Sequence, residues 1–170
     1  MRDWVRKMAD RAQQKAEERP RAPSRLNREK VLFAQRAQHV KGLFQRLEIL
    51  SQAVNRESSG NPISAQRTLK SKNLGGIDVP DNGRLVLKFL ERRIEVVINP
   101  LQNVGGRPAP IGELATASVI LYDADDPTGA DWYDMVLRED GWHRRTESGK
   151  VGAPALTEKD LKRLIEWLLV

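Results

Sequence analysis

Residues 83–100, GRLVLKFLERRIEVVINP, decide how the rest of the chain is read. This is the densest apolar run, and its apolar residues alternate. Leu85, Leu87 and Phe89 point one way, as do Ile94, Val96 and Ile98, with Lys88, Glu95 and Asn99 interleaved. Alternation rich in β-branched residues marks half-buried strands. Two such runs meeting near Glu91-Arg92 predict a hairpin at the centre of a sheet. Val86, Leu90, Ile94 and Val97 also stand at helical spacing, and no Gly or Pro marks the turn. The crowding of β-branched residues from Ile94 to Ile98 decides for the hairpin.

Upstream, a long helix is predicted from about Leu26 to Arg56, within 25–57. Leu26, Phe33, Val40, Leu47 and Val54 recur every seven residues, and Leu43 and Leu50 fill the fourth heptad position. Glu29 and Arg36 occupy earlier fourth positions, and Gly42 interrupts the middle, which argues against a sustained coiled coil. The later half, Leu43 to Val54, is apolar over a wide arc and suits a helix laid on a sheet. The first half is expected to project or to face a partner. His39 reads as a surface histidine, and SSGNP at 58–62 ends the helix.

Residues 2–18 are strong helix formers, but their apolar face is thin: Trp4, Val5, Met8 and Ala12. Pro20 and Pro23 follow, flanked by Arg19, Arg21 and Arg25. Residues 1–24 therefore read as a loosely held basic arm before a single domain over 25–170.

Residues 63–80 are ambiguous, with a turn at Asn73-Leu74-Gly75-Gly76 and with Pro80 suited to a sheet edge. A loop over 99–114 contains Gly105-Gly106-Arg107, a weak candidate for an anion cradle. Strands are expected over Thr116–Tyr122 and Trp132–Arg138. The aspartates between them, Asp123, Asp125, Asp126 and Asp131, read mainly as turn chemistry, since their order fails the calcium-loop pattern. Asp140-Gly141 predicts a two-residue type I′ turn, placing Glu139 opposite Trp142 and Leu137 opposite Arg144. Tyr133, Met135, Leu137, Trp142 and Arg144 would then share one face, and Trp132, Val136, His143 and Arg145 the other. Thr157 opens a last helix over 157–170, with Asp160 as a capping-box partner. Leu161, Leu164, Ile165, Leu168 and Leu169 form its stripe.

The fold class is therefore α+β: a long N-terminal helix on an antiparallel sheet of about five strands, a meander of hairpins over 63–147, closed by a short C-terminal helix.

Composition bounds the function. The 170 residues contain no cysteine and two histidines, so thiol chemistry and cysteine-based metal sites are excluded. No nucleophile elbow, Walker loop or dinucleotide fingerprint is present, and no cofactor or metal is expected. No apolar run is long enough for a membrane span, and the first residues lack a signal-peptide core, which points to a cytoplasmic protein without membrane attachment. The net charge of +6 is unevenly placed. Residues 1–30 hold ten Lys/Arg against five Asp/Glu, and residues 101–140 hold two against eight.

The leading expectation is a non-enzymatic binding or adaptor protein working through protein–protein contacts. The alternative is a nucleic-acid-associated protein using phosphate contacts from the basic arm. The third is a metal-dependent enzyme built on the 123–134 aspartates. Candidate partner-binding residues are Trp4, Arg6, Lys7, Arg11, Arg19, Arg21, Arg25, Arg28, Arg36, Trp132, Arg138 and Arg145.

Overall fold

A computed structural model describes residues 2–18, 22–74, 76–100, 113–146, 151 and 154–170, with the side chains of Arg2, Ala16, Glu18 and 22–29 outside that description. Residues 101–112, where the Gly105-Gly106-Arg107 candidate falls, lie outside the described residues, as do Arg19 and Arg21.

Helix α1 covers Arg2–Glu18 and α2 covers Ala22–Glu57. The strands are β1 (Ser64–Leu74), β2 (Ile77–Phe89), β3 (Arg92–Ile98), β4 (Ala115–Asp123), β5 (Asp126–Arg138) and β6 (Gly141–Arg144), and α3 (Glu158–Leu169) closes the order. The six strands form one antiparallel meander, each beside its sequence neighbours. The fold class stands as α+β, with six strands where about five were expected. The difference comes from residues 64–74, whose exposed polar side chains gave only a faint alternation. Pro23, expected to break the chain, stands instead in the first turn of α2, where a missing N–H costs nothing.

The central hairpin forms as the alternation requires. Leu85 pairs with Val96 and Leu87 with Ile94, and all four are buried. Its turn is Leu90-Glu91, one residue earlier than expected, since Phe89 faces Arg92. Leu90 takes a φ of +49°, in the left-handed region that a leucine rarely adopts.

In the last hairpin Leu137 faces Trp142 and Arg138 faces Gly141. The positive φ falls on Gly141 alone, at +129°, and neither Glu139 nor Asp140 shares it. A type I′ turn needs positive φ at both central residues. The turn is therefore Glu139-Asp140, followed by the glycine. The pairing moves by two residues, an even number, so the predicted division of faces survives.

Both helices lie on one side of the sheet. Val40, Leu43, Phe44 and Leu47 of α2, and Leu161, Ile165 and Leu168 of α3, join Leu85, Leu87, Ile94, Val96, Ile98, Val119, Met135, Leu137 and Trp142 in one core. The core half of α2 begins at Val40, a little before the expected Leu43, while Val31 and Leu32 remain exposed. The Trp142 indole donates to the His39 carbonyl at 3.2 Å, which ties β6 beneath α2. Asn55 exchanges two hydrogen bonds with the backbone of Ile63, at 2.7 and 2.9 Å, fastening the end of α2 to the start of the sheet.

Two arginines hold the layers together through backbone carbonyls. Arg36 is 3% exposed. It donates from Nε to Pro80 O (2.7 Å), from Nη1 to Leu114 O (2.8 Å), and from Nη2 to Asp81 O (3.1 Å) and Asn99 O (3.2 Å). Pro80 and Asp81 lie at a bulge of β2, ahead of the pairing with β3 that begins at Gly83. Proline is tolerated where one side of a strand is open. Burial pushes the Arg36 guanidinium down to about 10, with Asp81 opposing the shift, so it stays charged at neutral pH. At the other end of the sheet, Arg92 donates to Trp167 O at 2.6 Å and lies over the Trp167 ring. The carbonyl belongs to the last turn of α3, where helix carbonyls lack partners.

Helix α3 starts as read. The Thr157 N–H and hydroxyl both donate to Asp160 Oδ2, at 2.8 and 2.9 Å.

Three substitutions test this packing. A Cβ at Gly83 would stand 2.6 Å from Leu69 and 3.0 Å from the Thr68 carbonyl, so Gly83→Ala should destabilise by about 1–3 kcal/mol in a denaturant titration. Leu90→Gly relieves a left-handed leucine and should stabilise, or at worst be neutral, by about 1 kcal/mol. Arg36→Met removes four hydrogen bonds from a charged donor, and the loss should exceed about 3 kcal/mol, bonds to charged groups contributing roughly 1.5–3 each.

Candidate binding face of the sheet

Because α2 and α3 share one side, the opposite face of the sheet has no helix over it among the described residues. The register places Val86, Glu95, Ile120 and Trp132 in one row across β2 to β5, with Glu95 facing both Val86 and Ile120, and Ile120 facing Trp132. Trp132 is 67% exposed, whereas Val86, Val97 and Ile120 are half-buried.

At the centre, Glu95 is only 7% exposed. Arg84 grips its carboxylate through Nε (3.1 Å) and Nη2 (2.5 Å), and the Tyr122 hydroxyl donates to Oε1 at 2.8 Å. The bidentate geometry is the stronger form of such a pair. It holds Arg84 above its usual range, chiefly through the hydrogen bond to Glu95. The Tyr122 phenol is also raised, first by its hydrogen bond to Glu95 and then by burial. Glu95 thus has its acceptors committed to three donor bonds or more and serves to stiffen the platform. Beside it, Ser118 Oγ donates to Asp134 Oδ1 at 2.9 Å.

Beyond this row the β4–β5 hairpin carries acidic residues. Its turn is Ala124-Asp125, and Asp123 faces Asp126. The next pairing is Leu121 with Asp131, so the segment Pro127–Ala130 bulges out of the ladder. Asp123 Oδ1 accepts the Asp125 N–H at 2.9 Å, and Asp126 Oδ1 accepts the Thr128 hydroxyl at 2.6 Å. These contacts are turn chemistry. Among the described residues no three of His, Cys, Asp and Glu converge as metal ligands, so the metal-enzyme expectation gains no geometric support. The turn itself is tied to the β2–β3 turn, Ala124 N–H donating to Glu91 O at 2.7 Å.

The expected partner-binding residues do not form one patch. Trp4, Arg6, Lys7 and Arg11 lie exposed on α1, of which no residue joins the core. Arg25 and Arg28 belong to the part of α2 whose side chains are not described. Arg36 is corrected to a structural residue, because its guanidinium is enclosed and donates to four backbone carbonyls. Arg145 forms an ion pair with Glu113 at 2.6 Å. Trp132 and the exposed Arg138 share the uncovered face of β5 but stand six residues, roughly 20 Å, apart. The Arg84–Glu95–Tyr122 cluster was not anticipated. Arg84 and Glu95 do alternate onto the open face, a signal readable only once the hairpin register is known.

No helix of the described residues is long and apolar enough to cross a membrane. Comparison with protein-family models, curated proteins and solved structures finds no match.

The two tyrosines of the chain give a pH test. Tyr122 is raised chiefly by Glu95 and Tyr133 chiefly by burial. A raised acid contributes stability that is present below the free value, near 10, and is lost as pH climbs through the folded value. Ultraviolet titration should therefore show less than half of the phenolate signal at pH ~10. Glu95→Gln should bring the Tyr122 component back toward that value and leave the Tyr133 component delayed. Half-ionisation of both tyrosines at that pH in the wild type would refute the hydrogen-bonded arrangement.

Proposed function

We propose that the protein is a non-enzymatic binding module, an adaptor that engages a protein partner across the open face of the sheet. The observation that carries this reading is Trp132, 67% exposed on a face that no helix covers, beside half-buried Ile120. Tryptophan in such a setting is the commonest anchor of a protein interface. The Arg84–Glu95–Tyr122 cluster supports it by keeping the polar part of the platform in one arrangement before contact, and a preorganised surface loses less entropy on binding.

A second reading, phosphate-directed nucleic-acid binding, is favoured by Arg6, Lys7 and Arg11, exposed on α1. Such binding is nearly sequence-independent and falls with salt at about −0.9 in the log–log slope for each duplex phosphate neutralised. The aromatic count of the arm, Trp4 alone, is small for a single-strand stacking surface.

Affinity purification from the native host separates the two. Wild type and Trp132→Ala are compared with and without nuclease. Partners that resist nuclease and disappear with Trp132→Ala are the expected result. Partners lost to nuclease and indifferent to Trp132 would transfer the assignment to nucleic acid.

A further inference from the structure

On the open face, charge is distributed unevenly about the apolar pair Ile120–Trp132. In the row beside Glu95, the register sets Lys88 opposite Arg93, and Arg93 opposite Tyr122. Like charges directly opposite each other on neighbouring strands are destabilising. Among the described residues no carboxylate relieves this pair, since neither Lys88 nor Arg93 takes part in an ion pair. Arg84, by contrast, is committed to Glu95.

The Arg93 guanidinium is held at the β2–β3 turn, where Nη1 donates to the carbonyls of Leu90 and Arg92. An arginine has five N–H donors in a fixed fork, so Nε and Nη2 remain for an anion, and the group is in place before one arrives. Trp132 and Ile120 lie in the adjoining row, with Trp132 67% exposed. Arg93 is two strands across and two residues along from Trp132, about 12 Å, and Lys88, one strand further, is about 16 Å away. On the other side of Trp132, two residues along β5, stands Asp134. Arg138 lies beyond Asp134, next to Glu139 and Asp140, and adds no basic ground.

We propose that the partner engaged at this face is an acidic segment of a protein, which sets an aromatic or large aliphatic side chain on Trp132 and Ile120 and a pair of carboxylates on Lys88 and Arg93. This rests on reading the Trp132 face as a protein-contact surface, and it names the chemistry of what binds there.

The distances fix a spacing. At ~3.3 Å per extended residue, ~12 Å is three or four positions and ~16 Å about five. Anchor and carboxylates are therefore three to five residues apart in the partner. Direction is fixed as well, because Asp134 repels a carboxylate placed on its side of Trp132. A nucleic-acid strand fits the face less well. The basic row offers two cations for phosphates, and Trp132 is the only exposed aromatic of the face among the described residues. Tyr122 is half-buried, with its hydroxyl given to Glu95, whereas single strands stack successive bases on several rings.

A display library of random twelve-residue peptides, selected on the full chain at ~50 mM salt, tests this. Enriched peptides should carry an aromatic or large aliphatic residue with two Asp/Glu three to five positions away. Changing both carboxylates of the best peptide to amides should weaken binding about tenfold by fluorescence anisotropy. At ~500 mM salt most of that difference should vanish. Lys88→Glu and Lys88→Glu/Arg93→Glu should both lose the acidic peptides, and the double variant should enrich basic ones instead. Lys88→Glu keeps the Arg93 bonds at the turn, so it decides the matter should the double variant fail to fold. Trp132→Ala should lose every set. Enrichment that depends on Trp132 but carries no acidic bias would overturn the acidic partner and leave the protein-contact face standing. No Trp132-dependent enrichment would overturn both. Binding of a twelve-nucleotide oligothymidylate that Trp132→Ala abolishes would overturn both in favour of nucleic acid.

Discussion

The fold hinges on one guanidinium. At one end of the sheet β2 bulges, β3 runs out and β4 begins, and backbone carbonyls of all three converge on one side chain. Arg36, fixed on α2, supplies four hydrogen bonds to Pro80, Asp81, Asn99 and Leu114. A buried charge is normally expensive. Here its donors all meet carbonyls, and the rigid planar fork fits several of them at once, which a lysine ammonium does less well. The same contact fixes where α2 lies along the sheet. That position carries Val40, Phe44 and Leu47 over Leu85, Leu87 and Val96. Arg92 repeats the device from the sheet side, meeting a last-turn carbonyl of α3.

Placing both helices on one side has a second effect. The other face has no described helix over it, yet only part of it meets water: Trp132 is 67% exposed, while Val136 and His143 on the same face are 0% and 6% exposed. Its polar centre is internally satisfied by the Arg84–Glu95–Tyr122 bonds, so nothing there demands a partner for stability. The exposed apolar surface is concentrated toward β4 and β5, where Ile120 and Trp132 stand together. Asp126 and Asp131 of the same hairpin pair with Asp123 and Leu121 and so belong to the other side of the sheet.

Much of this architecture was legible in the sequence, for identifiable reasons. Strict alternation through Leu85–Phe89 and Ile94–Ile98 has a single buried-face solution, and it named the central hairpin. The C-terminal helix was readable because Thr157, Asp160 and the leucine stripe agree. The hairpin at Glu139-Asp140 was placed on the wrong pair, since a glycine signals that positive φ is needed nearby without saying where in the turn. Turn location at Leu90 was hidden because leucine carries no turn signature. The first strand was faint because an edge strand with polar side chains has no buried face to periodically mark. Arg36 was misread for a related reason. A charged residue at a heptad position looks like a solvent or partner contact, and only the convergence of three distant backbone segments shows what it serves. The candidate face was readable residue by residue in Trp132, but its polar centre depended on a register that no local pattern specifies.

The order of the strands has a consequence for assembly. In a meander each new strand pairs with the one made just before it, so loop closure stays short and the entropic cost of each addition small. The growing sheet always has a ready template, and α2 precedes all of it. Both helices wait for the sheet, α2 for strands as late as the one that holds Trp142, and α3 for a place among strands completed some sixty residues before it. Until α3 arrives, the apolar ground later covered by Leu161, Ile165 and Leu168 lies bare. A vulnerable interval in this protein's synthesis therefore lies between completion of β6 and the docking of α3.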